Sequence, residues 1–310
     1  VREISIAMIT IDRAPRENYL PRTIQNLTRG GVFESPHFQS MCIADSGTSP
    51  DWPDRGLNDI SWFAVKGDPD PAFTAPIQKP GRRTGASRSG SGEREAVKPF
   101  QERRSPLLAP PPALFAPLHA PPGALVSVLR SPAPRPAPLN AAAAMDVAVA
   151  TGAPWILFME DDIDVCGDFL ESAYRWLKLY GTPEYRVFSF GANYPHVKVA
   201  AERLEFTWQY PVDWFYGSQC IALRRGDAAS LAAYWRTNPE VPGATDTAID
   251  IMVAQWHKME YPAQPFFLAT APSFIQHIGR ASYATTKEVT HQFTTWPGPF
   301  WVYEPGVVRV

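Results

Sequence analysis

Four carboxylates crowd into five positions at Glu160-Asp161-Asp162-Ile163-Asp164. Like charges this close raise one another's pKa and resist joint ionisation, so something positive should compensate them. Oxygen ligands at such density suit Mg2+ or Mn2+ rather than a soft metal. A divalent ion there would bridge the two phosphates of a nucleotide diphosphate and stabilise it as a leaving group. The plainer reading is that these acids cap the following helix or face solvent, as acids after an apolar strand often do.

The elements that must position the acids are legible around them. Trp155-Ile156-Leu157-Phe158-Met159 is apolar without alternation, the pattern of a central strand buried on both faces, and it delivers the chain into Glu160. Residues 4–11 and Met41–Ala44 read as further buried strands, and so do Ser61–Val65, Arg186–Phe190, Gln219–Leu223 and Phe266–Ala269. Helices are expected from Glu17 to Arg29, stopped by Gly30-Gly31, from Asn140 to Ala150, from Phe169 to Tyr180, and after Asp227 to Trp235. One more opens at Asp246, with Ile249, Met252, Val253 and Trp256 on one face. Alternating strands and helices predict an α/β layered sheet, and in open α/β sheets ligands gather where strands end.

Residues 66–139 differ in kind. Nearly half of the 33 prolines fall there, with Arg- and Ser-Gly-rich runs and no Trp or Tyr, so the stretch reads as a disordered insertion unable to offset its ordering entropy by burial. A structureless loop this long is rare inside a domain, and translated non-coding sequence is a second reading of it. The single catalytic domain is then 1–65 and 140–310.

Composition sets outer limits. A length of 310 residues with 45% hydrophobic content can bury a sizeable core. A formal charge of -2 gives no global reason to expect nucleic acid as a partner. Cys42, Cys166 and Cys220 are too widely spaced for a zinc knuckle and read as buried apolar residues. No apolar run reaches membrane-spanning length; a secretory compartment, the Golgi included, stays compatible if an anchor precedes Val1, and the cytoplasm otherwise.

The motifs taken together resemble a known group. Asp45-Ser46-Gly47 after a strand, the helix from Asn140, Leu157-Phe158-Met159-Glu160-Asp161-Asp162-Ile163, and the octet Pro272-Ser273-Phe274-Ile275-Gln276-His277-Ile278-Gly279 are similar to GT-A glycosyltransferases, in particular the N-acetylglucosaminyltransferase IV family of N-glycan branching. The resemblance implies a GT-A-like, Rossmann-like α/β fold with a mixed, mainly parallel sheet flanked by helices. It implies a nucleotide-sugar donor, a UDP-sugar first, with Mn2+ or Mg2+ and a glycan acceptor. Asp162 would be the principal metal ligand, Asp161 and Glu160 would support it, His277 would close the metal or diphosphate site, and Asp45 would sit near the nucleotide. An inverting transferase also needs a carboxylate to take the acceptor's proton; Asp246 and Asp250, four apart on one helix face, are the candidates, Asp246 favoured as the base although it would also serve as a helix cap. Two other readings stay open: a haloacid-dehalogenase-like phosphatase using Asp162-Ile163-Asp164, with Cys166 where that class wants Thr or Val, and a non-catalytic carbohydrate-binding relative. The aromatics Trp208, Tyr210, Trp214, Phe215 and Tyr216 would stack on sugars or fill the core. Arg224-Arg225 would pair with phosphate or face solvent, and the sequon Asn26-Leu27-Thr28 matters only in a secretory compartment.

Overall fold

An apolar run needs apolar partners on both sides, and the central strands have them. The structure, a computed structural model, describes residues 2–10, 19–45, 115–117, 125–129, 136–192, 195–203, 205–215, 217–239, 249–279 and 295–303. All of these belong to one compact unit formed by 1–65 and 113–310.

The strands are β1 (Ile4–Thr10), β2 (Phe38–Asp45), β3 (Phe115–Pro117), β4 (Val126–Leu129), β5 (Trp155–Glu160), β6 (Ile163–Val165), β7 (Val187–Ser189), β8 (Phe206–Pro211), β9 (Cys220–Arg224), β10 (Phe266–Ala271) and β11 (Ile275–His277). The helices are α1 (Leu20–Arg29), α2 (Ala137–Ala150), α3 (Phe169–Tyr180), α4 (Pro195–Glu202), α5 (Arg225–Thr237) and α6 (Ile249–Glu260), with a short 3-10 turn at Val212–Trp214. Among the described residues nine strands form one sheet in the order β3-β4-β2-β1-β5-β9-β7-β10-β8, and β6 pairs with β11 apart from it. Strands β4, β2, β1 and β5 run parallel; β9 runs against both β5 and β7, and β10 is parallel to β7. The edge strands β3 and β8 are antiparallel to their neighbours. The fold is thus an α/β, mixed and mainly parallel sheet flanked by helices.

Alternation along the strands sends side chains into two separate cores. Ile6, Met8, Leu157, Met159 and Ala222 pack with Leu20, Ile24 and Leu27 of α1 and with Phe169 and Trp176 of α3. Ala7, Ile156, Phe158, Ile221 and Leu223 pack with Ala141, Ala144 and Met145 of α2, Leu231 of α5 and Met252 and Trp256 of α6. The alanines of α2 let it lie close over β1 and β2, and an Asp146–Arg236 ion pair joins it to α5. Gly31 ends the turn after α1 at φ +66°, a conformation that glycine adopts without steric cost.

Several elements depart from expectation. Helix α2 begins three residues before Asn140. Strand β4 lies inside the stretch read as an insertion and pairs with β2 from Met41↔Val126 to Ala44↔Leu129, because a short β-branched run finds a parallel neighbour that local composition hides. Residues 66–114 and the expected strand Ser61–Val65 lie outside the described residues. The three cysteines are buried and unbonded to one another, and burial pushes the Cys42 thiol up to about 12. Asn26 is buried in α1 and donates from Nδ2 to the Ile163 carbonyl at 3.3 Å, so the sequon is not presented to solvent. No described helix is long and apolar enough to cross a membrane.

His257 in α6 packs its ring against Phe267 (centroids 4.7 Å) and Tyr261 (5.5 Å), and neither ring nitrogen has a hydrogen-bond partner among the described residues. Burial first, then the charge of Arg186, lowers its pKa to about 4. The unfolded chain binds a proton near the ordinary histidine value that the folded chain refuses, so stability is full above that value and declines as pH falls toward 4. We expect the Tm to drop between neutral and mildly acidic buffer and the drop to be shallower in His257→Phe; parallel profiles for the two proteins would refute the assignment.

Candidate functional site

The parallel strands end together at one edge, and the acids stand there. Thr10 closes β1, Asp45 closes β2 in register with it, and Glu160 closes β5 beside Ile9. Because β9 is antiparallel to β5, its start arrives at this same edge, where Met159 faces Cys220 and the Gln219 carbonyl accepts the Glu160 N–H at 3.0 Å.

Each acid has a partner from a different element. Thr10 Oγ1 donates to Asp161 Oδ2 at 2.6 Å, while Thr23 Oγ1 of α1 donates to the Asp161 carbonyl at 2.7 Å. Asp164 is wholly buried in β6, paired with Arg29 and accepting the Val165 N–H at 2.8 Å. Burial raises the Asp164 carboxyl's pKa, and the Arg29 charge opposes the rise. Ser218 Oγ donates to Glu160 Oε1 at 2.7 Å. Asp162 faces His277, with Nε2 and Oδ2 at 3.1 Å.

That last contact depends on the small sheet β6–β11. The strands are antiparallel with Ile163 opposite His277, and the Ile278 N–H donates to the Asp162 carbonyl at 2.9 Å. The octet Pro272–Gly279 is therefore laid directly against the acidic run. Phe274 and Ile275 bury in the core and anchor it, while Ser273 meets the Thr295 hydroxyl at 3.0 Å. Gly279 lies against the pair: a Cβ there would stand 2.4 Å from Asp162 Oδ2 and 2.7 Å from His277 Nε2. Only a residue without a side chain permits so close an approach.

Electrostatics tie Glu160 to both sides of the site. Desolvation, then the Asp162 charge and more weakly Asp250, push its carboxyl up to about 7 against the opposing pull of Ser218 and His277. Asp250 opens α6 at 6% exposure, and burial raises its carboxyl above the ordinary range although the Ile251 N–H bonds it at 2.8 Å. The arrangement offers a carboxylate–imidazole pair, Asp162 and His277, with Glu160 near enough to feel the Asp162 charge strongly and the Asp250 charge weakly. Among the described residues no group of three or more His, Cys, Asp or Glu side chains converges as a metal-ligand set.

The structure thus brings Glu160, Asp161, Asp162 and His277 to one strand edge, with Asp45 closing β2 two strands away from Glu160 and Asp250, in α6, near enough for its charge to act on Glu160. Asp246 lies outside the described residues, as does Tyr216. Arg224 and Arg225 stand at the opposite edge: Arg224 donates to the carbonyls of Tyr185, Gly181 and Thr182 and covers the Trp155 ring, and Arg225 donates to the Gly152 carbonyl. They are structural there, not phosphate ligands. Tyr210 and Phe215 are core, whereas Trp214 is 49% exposed. Thr10, Thr23, Arg29, Ser218 and Gln219 were not singled out from sequence, since a hydroxyl or amide at an element's end carries no local mark of its partner.

No family model matches the chain, and no curated protein matches it. Solved structures to which it is similar include a mannosyltransferase from Pyrobaculum calidifontis in complex with GDP-Man and Mn2+, at 9% identity and a TM-score of 0.42 over 87% of this chain and 57% of that one. S. aureus TarS follows at 12% identity and 0.40 over 87% and 58%, and apo mouse xyloside xylosyltransferase 1 at 9% and 0.35 over 84% and 83%. The chain spans less than two thirds of the first two.

Gly279→Ala would drive a methyl group between Asp162 and His277. Overpacking of this kind costs about 1–3 kcal/mol, so the variant's Tm should fall and a crystal structure should show the Asp162–His277 contact separated; an unshifted Tm with the contact intact would contradict the close approach.

Proposed function

We propose that this chain is a metal-dependent glycosyltransferase that moves a sugar from a nucleotide diphosphate donor to a glycan hydroxyl. One observation carries the reading: two sequence motifs more than a hundred residues apart, the acidic run and the octet, pair as β6 and β11 and place His277 on Asp162. Each motif alone has ordinary structural explanations. They meet at the edge where parallel strands end, which is where an α/β sheet binds ligands. The resemblance to the N-acetylglucosaminyltransferase IV family rests on those same motifs, and a GT-A-like arrangement is in keeping with the mixed, mainly parallel sheet.

The residues present fit a hard divalent ion. A carboxylate oxygen and an imidazole nitrogen lie together at the strand ends, and Mg2+ or Mn2+ held by one or two protein groups keeps its remaining positions for water and phosphate oxygens. Asp162 and His277 would hold Mn2+ or Mg2+, with Glu160 and Asp161 as supporting acids whose orientations Ser218 and Thr10 fix. Bound there, the ion would neutralise charge developing on the diphosphate.

In the transfer, the bond from the anomeric carbon to the diphosphate oxygen breaks and one to the acceptor oxygen forms. The nucleotide diphosphate leaves with the bonding electrons, and the acceptor's proton passes to a carboxylate. Asp250 is our choice for that base among the described residues: it is buried, its pKa is raised, and it is close enough for its charge to act on Glu160. Asp246 remains the other candidate. A base opposite the leaving group gives inversion. Asp45, at the end of β2, would meet the nucleotide. The phosphatase reading is weaker, because the Asp164 it needs as an acid is held by Arg29 in the core.

The test is nucleotide release. Incubated with Mn2+ and a panel of UDP- and GDP-sugars, the protein should liberate free nucleotide diphosphate from at least one, and a chelator should stop it. Asp162→Asn should lower the rate by roughly a hundredfold or more, the scale for losing a group that stabilises transition-state charge, with folding judged by Tm. A folded, metal-supplied protein that releases nothing from any nucleotide sugar would leave only a non-catalytic relative.

A further inference from the structure

The small sheet that sets His277 on Asp162 is too short to hold itself. Strands β6 and β11 match three residues each, from Ile275↔Val165 to His277↔Ile163, and stand apart from the nine-stranded sheet. A two-stranded pair is marginal in water unless other elements pack on it. Strand β6 has such support from α1, where Thr23 Oγ1 and Asn26 Nδ2 donate to the Ile163 carbonyl and Arg29 pairs with Asp164.

The segment 295–303 bears on both strands. At one end Thr295 Oγ1 accepts the Ser273 N–H at 3.2 Å and meets the Ser273 hydroxyl at 3.0 Å. At the other end Trp301 and Tyr303 each bring a ring to 5.4 Å from that of Phe274, and the Tyr303 N–H donates to Ser172 Oγ of α3 at 3.3 Å. Between them the backbone of Phe300 and Trp301 lies on Gly167, where a Cβ would stand 3.3 Å from both. Gly167 comes two residues after β6, and Ser273 and Phe274 lead directly into β11.

Resting on the glycosyltransferase reading, we infer that the segment 295–303 braces the metal site and that Thr295 is a positioning residue for His277, acting through Ser273. Ser273 is fully buried, and the buried residues Phe274 and Ile275 carry the chain from it toward His277, so little slack separates anchor from imidazole. Removing the Thr295 hydroxyl leaves the Ser273 N–H without its acceptor in the interior, a penalty that the octet relieves by shifting. That shift draws the imidazole off Asp162.

Thr295→Val keeps the size of the side chain and removes the hydroxyl, whereas Thr295→Ser retains it. Both variants of the full chain are compared with wild type by crystallography without metal and by calorimetric titration with Mn2+ alone. In Thr295→Val the contact between His277 Nε2 and Asp162 Oδ2 should open beyond hydrogen-bond distance, and Mn2+ affinity should fall by about tenfold, the scale for losing support behind a metal ligand. Thr295→Ser should keep both. Gly167→Ala, which crowds the Phe300–Trp301 backbone, should weaken Mn2+ in the same direction and tests the brace from its other side. Leu231→Ala, in the core on the opposite face of the sheet, should lower the Tm and leave Mn2+ affinity unchanged. Wild-type contact and affinity in both Thr295→Val and Gly167→Ala, or an equal loss of affinity in Leu231→Ala, overturns the inference while the transferase reading stands. A wild type that neither binds Mn2+ nor releases nucleotide from any nucleotide sugar overturns both.

Discussion

Placing four carboxylates within five residues at the end of a buried strand sets the problem that this edge of the protein solves. Two like charges about 5 Å apart repel by roughly 3 kcal/mol at an effective dielectric of about 20, so the run is tolerable only if its charges are separated or matched. The chain does both. Asp164 turns to Arg29 in the interior, Asp161 is held by Thr10, and Glu160 leans on Ser218. Asp162 remains as the acid facing His277. Four partners come from four segments, so the cluster can form only when α1, β1, β11 and the approach to β9 are all in place.

Reversal of one strand decides which groups accompany the acids. In an all-parallel sheet every strand would bring its end to this edge, and the following loop would supply the ligands. Strand β9 instead runs against β5 and β7 and presents its beginning. Its lead-in turn, with Gly217 in a conformation suited to glycine, sets Ser218 and Gln219 beside Glu160 through a backbone pairing.

Much of this was legible in the sequence. The double-faced burial of β5 follows from its unbroken apolar run, α3 spans its expected residues, and α6 buries Ile249, Met252, Val253 and Trp256 as their spacing requires. What escaped depends on distant partners. Strand β6 is three residues long with a buried Asp at its centre, stable there only because Arg29 arrives from α1. Strand β8 alternates Thr207, Gln209 and aromatics at a sheet edge, so it reads as a possible sugar platform as readily as a strand, and β4 is masked by the prolines around it. Helix α4 has no strong apolar stripe to announce it. At the site, the acids and His277 were visible by type. Thr10, Thr23 and Ser218 were not, since a hydroxyl's role is fixed by what lies across the fold.

The octet shows why a short motif can be more informative than its length suggests. Phe274 and Ile275 must fill the core between Phe190 and the Trp301–Tyr303 segment, with Phe274 stacked 5.9 Å from Phe190. Ser273 must meet Thr295, His277 must oppose Ile163, and Gly279 must lack a side chain to clear Asp162. Packing, register and site chemistry therefore constrain neighbouring positions independently. A sequence that satisfied the core alone would give a loop with an ordinary histidine, and one that satisfied the chemistry alone would leave the histidine unanchored. Because both sets of demands fall on eight consecutive residues, the side chain at 277 is held against Asp162 by the same burial that stabilises the fold, so the site's geometry needs no separate device to hold it.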